Sequence, residues 1–138
     1  MKIEEIHSNK KKFLDLLLLA DEQEDMIDRY LDSGRMFVLY DDDLKCEAVV
    51  TQLNETECEL KNIATMPNEH GKGYGKAMIQ FLFNEFLTQY QTMYVGTGDV
   101  PGILNFYKKC GFQESHRVEN FFTDNYHEPI IDQGVQLV

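Results

Sequence analysis

Apolar residues recur along this chain at two spacings, and the spacing separates helices from strands. Phe13, Leu16, Leu17 and Ala20 share one helical face, which predicts a helix over about residues 9–20 with Ser8 or Asn9 as its cap. Asp21 is placed to cap a second helix to about Asp32, where Met26, Ile27, Tyr30 and Leu31 repeat the spacing and Gly34 ends it. Residues 2–7, Arg35 to Tyr40, Lys45 to Leu53 and Glu57 to Met66 read as strands. The last three are separated by the polar turns Asp41-Asp42-Asp43 and Asn54-Glu55-Thr56, which predicts an antiparallel meander.

From Gly73 to Tyr90 the chain carries Met78, Ile79, Phe81, Leu82, Phe83, Phe86 and Leu87, apolar on more than one face. Such a helix lies deep against a sheet. Gln91 to Gly96 is then a strand, Gly98-Asp99 a turn, and Gly102 to Cys110 a short helix started by Pro101 and ended by Gly111. Phe112 to Val118 and Gly134 to Val138 are the last strands. The order is strand, two helices, three antiparallel strands, helix, strand, helix, two strands. It predicts one α/β domain over residues 1–138 with a mixed sheet.

Between the strand ending at Met66 and the helix that follows lies His70-Gly71-Lys72-Gly73-Tyr74-Gly75-Lys76. Glycines at alternate positions remove the side chains that would hold a ligand off the backbone, so successive N–H groups can point into one concavity. The first turn of the next helix adds unsatisfied N–H groups and the positive end of its dipole. Together they suit a phosphate or pyrophosphate. The spacing excludes two nucleotide loops: after Gly71 and Gly73 the dinucleotide fingerprint needs glycine at 76, where Lys76 stands, and no Walker run is present.

Charge is uneven along the chain. The net charge is −11, which argues against a nucleic-acid backbone as partner. Residues 1–59 hold 16 acids and 7 bases, whereas residues 60–110 hold 3 acids and 5 bases, so the acidity spares the glycine loop. An acidic remainder either steers a cationic amine or serves solubility. No apolar run approaches the ~20 residues of a membrane span, and the acidic start Met1-Lys2-Ile3-Glu4-Glu5 does not read as an export signal. Cys46, Cys58 and Cys110 are an odd number without metal-ligand spacing. A cytoplasmic protein with reduced thiols, no metal and no membrane is expected.

The arrangement His70-x-x-Gly73-x-Gly75, three residues after Pro67, resembles the acyl-CoA loop of the GNAT superfamily of N-acetyltransferases, whose pattern is Gln/Arg-x-x-Gly-x-Gly/Ala. A second stretch, Asn105-Phe106-Tyr107-Lys108-Lys109-Cys110-Gly111-Phe112, is similar to the family's later helix-to-strand corner. The resemblance covers nearly the whole chain and is strongest from Glu59 to Phe112. Residues 121–129 resemble a stretch of an uncharacterised bacterial subgroup. His70 departs from the pattern and either holds the pyrophosphate or is a solvated turn residue.

The resemblance implies a mostly antiparallel sheet with a splayed strand pair and direct acetyl transfer from acetyl-CoA to a primary amine. It assigns the pantetheine arm to main-chain groups of Ile63, Ala64 and Thr65, and the phosphates to His70, Gly71, Lys72, Gly73, Tyr74, Gly75 and Lys76. Asp99 takes approximately the place of a cofactor-contacting Asn. Tyr107 is implied as the acid for the leaving thiolate, a phenol of reference pKa ~10 facing a thiol of ~8.5, or else a packing aromatic. Glu59 is implied as the base, with Glu57 as substitute since side chains two apart share a strand face; both also fit a solvent-facing role. The resemblance leaves the acceptor open, whether small molecule or peptide, and a homodimer open too. A non-catalytic acyl-CoA-binding regulatory module is the alternative reading. The last strand is short for the family, which suggests truncation or completion by a partner.

Overall fold

The computed structural model describes residues 1–96, 101–116 and 130–133, with side chains for residues 1–96 and 102–113. Among the described residues, seven strands form a single sheet: β1 (Lys2–Ile6), β2 (Arg35–Asp41), β3 (Asp43–Gln52), β4 (Glu57–Thr65), β5 (Thr92–Gly96), β6 (Phe112–His116) and β7 (Ile130–Gln133). Their spatial order is β1-β2-β3-β4-β5-β7-β6. All neighbours are antiparallel except β4 and β5, which a helical crossover joins in parallel. The final strand expected at Gly134 to Val138 lies outside the described residues, as do Asp99 and the connection at 117–129; the seventh strand is Ile130–Gln133.

Four α-helices among the described residues flank the sheet: α1 (Leu14–Ala20), α2 (Glu24–Asp28), α3 (Tyr74–Phe86) and α4 (Pro101–Lys109). The first two are shorter than their apolar spacing predicts. Asn9 adopts a left-handed conformation (φ 57°) and makes no side-chain cap, so Lys10–Phe13 winds as a 3-10 turn ahead of α1. Asp21 is not the cap of α2, a place taken by Gln23. Its carboxylate instead accepts the Tyr30 hydroxyl at 3.1 Å. Just beyond Asp28 the bonds tighten to i→i−3 as Arg29 and Tyr30 donate to Met26 and Ile27, with Leu31 sharing the Ile27 carbonyl at i→i−4, and the helix ends.

Strand alternation supplies both faces of the sheet with core residues. Phe37, Leu39, Ala48, Val50, Cys58 and Leu60 pack against Met78, Ile79, Leu82 and Phe86 of α3. On the other side Met36, Val38 and Val49 pack against Phe13, Leu17, Ile27 and Leu31. The half-buried Phe81 and Phe83 also join the α3 core, Phe83 edge-on to Phe112 at 5.2 Å between ring centroids. This accounts for the broad apolar surface of that helix. No helix among the described residues is long and apolar enough to cross a membrane.

Candidate active site

The site begins with an irregularity in β4. Its register against β3 slips between Val49 and Val50: Leu60 pairs with Val50 but Asn62 pairs with Val49, leaving Lys61 as the extra residue of a bulge. The bulge changes which residues share a face. Cys58 and Leu60 belong to the α3 core, whereas Asn62 bonds to groups of the opposite layer. In an unbroken strand Leu60 and Asn62 would point the same way.

β4 also parts from its parallel neighbour. It pairs with β5 over Glu57 to Leu60 only, yet continues to Thr65. The β5-side edge of Lys61 to Thr65 therefore has no strand partner among the described residues, leaving main-chain donors and acceptors available to a ligand. Ile63, Ala64 and Thr65 lie on this stretch, where the resemblance assigns the pantetheine arm.

The splayed edge runs directly into the glycine loop. Gly71 and Gly73 take φ values of +81° and +88°, which L residues adopt only with strain. Gly73 is the N-cap of α3 and supplies no side-chain bond, so the first-turn N–H groups of Tyr74, Gly75 and Lys76 remain open to an anion. Gly75 meets a different demand: a Cβ there would come within 3.1 Å of the Phe106 ring on α4. The loop is braced from below. Glu69 receives Lys45 at 2.9 Å and Lys72 at 2.6 Å, and these two cations hold its carboxyl below the ordinary range, Lys72 contributing most. Tyr74 donates its hydroxyl to Asp41 at 2.8 Å.

Two loop side chains are bonded to neighbouring protein groups. The His70 ring places Nε2 3.1 Å from the Thr65 carbonyl, tying the loop to the end of the splayed strand. Lys72 is occupied by Glu69 and does not line the cleft, whereas Lys76 does.

A cleft of about 910 Å³ follows β4 from Glu59 to Thr65 and enters the loop, with Leu19 to Asp21 of the α1 end and Ile103, Phe106 and Tyr107 of α4 as further walls. Tyr107 and Glu59 are thus brought to one cleft from elements far apart in sequence. Tyr107 is largely buried, its ring edge-on to Phe112 at 5.7 Å. Burial pushes the Glu59 carboxyl up, opposed by Lys61 with its ammonium 3.6 Å away. Glu57 does not line the cleft. It accepts the Tyr94 hydroxyl and the Asn54 amide, both at 2.7 Å, and these bonds, Tyr94's first, hold it below its ordinary value.

The sequence gives no site role to Asp21, read there as a helix cap, or to Asn62. Asn62 Nδ2 donates to the Leu17 carbonyl at 3.1 Å and to the Tyr30 hydroxyl at 3.0 Å, and that hydroxyl donates to Asp21. Asp21 and Asn62 both line the cleft although only 6% and 3% exposed. Their one signal in the sequence is a polar residue interrupting an apolar pattern. Among the described residues no cluster of His, Cys, Asp or Glu is arranged to hold a metal.

This geometry has counterparts. Residues 32–114 match the family model described as an acetyltransferase (GNAT) domain. An uncharacterized N-acetyltransferase of Bacillus subtilis (strain 168), YvbK, is 30% identical over 139 aligned positions, covering 99% of this chain and 90% of the relative. Among solved structures, a GNAT family acetyltransferase from Elizabethkingia anophelis with acetyl-CoA bound superposes with a TM-score of 0.86 at 26% identity, covering 97% of each chain. A Bacillus subtilis acetyltransferase in complex with CoA gives the same TM-score and identity, covering 97% of this chain and 98% of its own. With the splayed β4, the glycine loop and the α4 tyrosine in one cleft, the chain belongs to the GNAT family of acetyltransferases.

Proposed function

We propose that the protein moves an acetyl group from acetyl-CoA directly to a primary amine. The observation that carries this is the continuity of the unpartnered β4 edge with the bare N-terminus of α3: one offers main-chain pairing to a pantetheine arm, the other an anion site for its pyrophosphate. Solved relatives bound to acetyl-CoA and CoA support the same donor.

In this reading Glu59, in the cleft and raised by burial, takes a proton from the acceptor ammonium directly or through water. The neutral nitrogen attacks the thioester carbonyl carbon, a C–N bond forms, and the C–S bond breaks with its electron pair on sulfur. Tyr107 gives a proton to that thiolate and takes back the second proton that the nitrogen sheds as it becomes the neutral amide, so the phenol is restored and the one proton released overall leaves from Glu59. Main-chain N–H groups of the β4 edge face the carbonyl oxygen as negative charge develops there. The acidic N-terminal half favours a cationic acceptor approaching the cleft.

Free-thiol release from acetyl-CoA across a panel of amines tests the reaction. Release above the hydrolysis background with at least one amine, lost in Tyr107→Phe under saturating substrates where chemistry limits turnover, is expected. Release that is insensitive to every amine rejects transfer, and unaltered turnover in Tyr107→Phe rejects the acid.

A further inference from the structure

Among the described residues, three buried acceptor atoms have no hydrogen-bond partner: both carboxyl oxygens of Glu47 and the side-chain carbonyl oxygen of Asn62. Glu47, in the middle of β3, is wholly buried, and Asn62 is 3% exposed. The register relates them. Glu47 stands opposite Ala64 and Asn62 opposite Val49, so each is diagonal to the other across the β3–β4 pair. Both rise on the α1 side of the sheet, since Val38 and Val49, their cross-strand partners, belong to the core there. Diagonal neighbours in an antiparallel pair stay within reach of long side chains.

An amide carbonyl only accepts hydrogen bonds, and so does an ionised carboxylate. Two such groups buried side by side would each bear the cost of an unmade bond, and an unpaired buried charge costs more still. The main chain does not relieve this: the Ala64 N–H bears on the Glu47 carboxyl without completing a hydrogen bond. A neutral carboxylic acid, by contrast, carries one O–H donor, and an enclosed water carries two.

We propose that Glu47 is held as the neutral acid and, through one enclosed water, satisfies Asn62 Oδ1, making Glu47 and Asn62 a positioning pair that holds the free half of β4 on helix α1 and keeps the donor groove open. Asn62 is the first residue beyond the bulge, where β4 has already left β5. Its Nδ2 ties that half to the Leu17 carbonyl of α1 and to Tyr30. The Glu47 side completes the other end of the same amide, so its orientation is fixed from both directions. Ile63 to Thr65 follow immediately, and their open edge is the groove itself. This role rests on the acyl-CoA reading of the cleft.

Two measurements test it. Infrared difference spectra of the wild type against Glu47→Gln at neutral pH should show a protonated-carboxyl band that the variant lacks. Calorimetric titration with CoA, well below the unfolding temperature, should find Glu47→Gln within about twofold of wild type, because its amide N–H replaces the acid O–H. Glu47→Leu and Asn62→Leu should bind about tenfold more weakly while still folded. If the leucine variants do not fold, Asn62→Ser, whose hydroxyl cannot bridge from Glu47 to Leu17, should show the same loss. A missing band, or folded Leu or Ser variants with wild-type CoA affinity, overturns the proposal. A wild type that does not bind CoA overturns the donor reading and the positioning role with it, while the band separately decides the state of Glu47.

Discussion

His70 donates from Nε2 to the Thr65 carbonyl at 3.1 Å, so the first residue of the glycine loop is bonded to the last residue of the splayed strand. The bond closes a short circuit of chain around the 3-10 turn Pro67–Glu69. It holds the unpaired β4 edge and the glycine loop in one relative position.

If that bond is what His70 supplies, then donor geometry matters more than charge. His70→Gln, which keeps an N–H donor at similar reach, should bind CoA within about twofold of wild type. His70→Ala should weaken binding by about two- to tenfold, the worth of one ordinary hydrogen bond. Calorimetric titration with CoA separates the cases; equal affinities for wild type and both variants sink the idea.

The glycines differ in what they tolerate. Gly73→Ala forces an alanine to φ +88°, at a cost of about 1–2 kcal/mol, and a lowered unfolding temperature and weaker CoA binding should follow together. Gly75→Ala presses on the edge of the Phe106 ring, a side chain that can shift, and meets Thr65 Oγ1 at an ordinary 3.7 Å, so its stability should stay within about 1 kcal/mol of wild type. Thermal unfolding of the two variants checks the contrast, and a Gly75→Ala protein as damaged as Gly73→Ala contradicts it.

Glu59 and Glu57 share a strand face but not an environment. Glu59→Gln should lower kcat by about 10²–10⁴-fold with little change in CoA affinity, whereas Glu57→Gln should leave kcat within about twofold. A base must be deprotonated to act, so kcat should rise with pH through a value above the ordinary carboxylate range, because burial pushes Glu59 up. That acidic limb should vanish in Glu59→Gln. A normal kcat in Glu59→Gln assigns the base elsewhere.

Burial pushes Glu47 well above the usual carboxylate range. Above about pH 4.3 the unfolded chain releases this proton while the folded protein keeps it. Stability therefore falls as pH rises from there toward the folded value, by up to about 1.4 kcal/mol per pH unit. Glu47→Gln has no proton to lose, so its stability relative to wild type should grow as pH rises above the unfolded-state value of about 4.3. Paired denaturation curves measure the difference, in which other titrating groups cancel. A difference independent of pH means that Glu47 is ionised in the folded protein.

Much of the architecture is legible locally. The alternation in Arg35 to Leu53 that supplies both cores, the multi-face apolar helix after the loop, and Gly71 and Gly73 at positive φ are properties of short segments. The pairing of the glycine loop with the corner at Tyr107 named the family, which the domain match bears out. The first two helices were less readable. Their apolar spacing is genuine, but Asn9 in a left-handed conformation and the tightening after Asp28 shorten both.

By itself, then, the sequence determined the order of elements, the glycine loop before α3 and the membership of the family, because periodicity and glycine conformations act over a few neighbouring residues. Only the tertiary structure decided that β4 slips by one residue at Lys61, that Glu59 faces the cleft while Glu57 is held by Tyr94, and that His70 bonds to Thr65. Each of these depends on cross-strand register or on a side chain meeting a group from another element. A one-residue slip reverses which face a side chain occupies without altering the apolar pattern that a reader of the sequence sees. Glu47 and Asn62 are the sharpest instance, two polar residues fifteen positions apart that only the register of β3 on β4 makes neighbours.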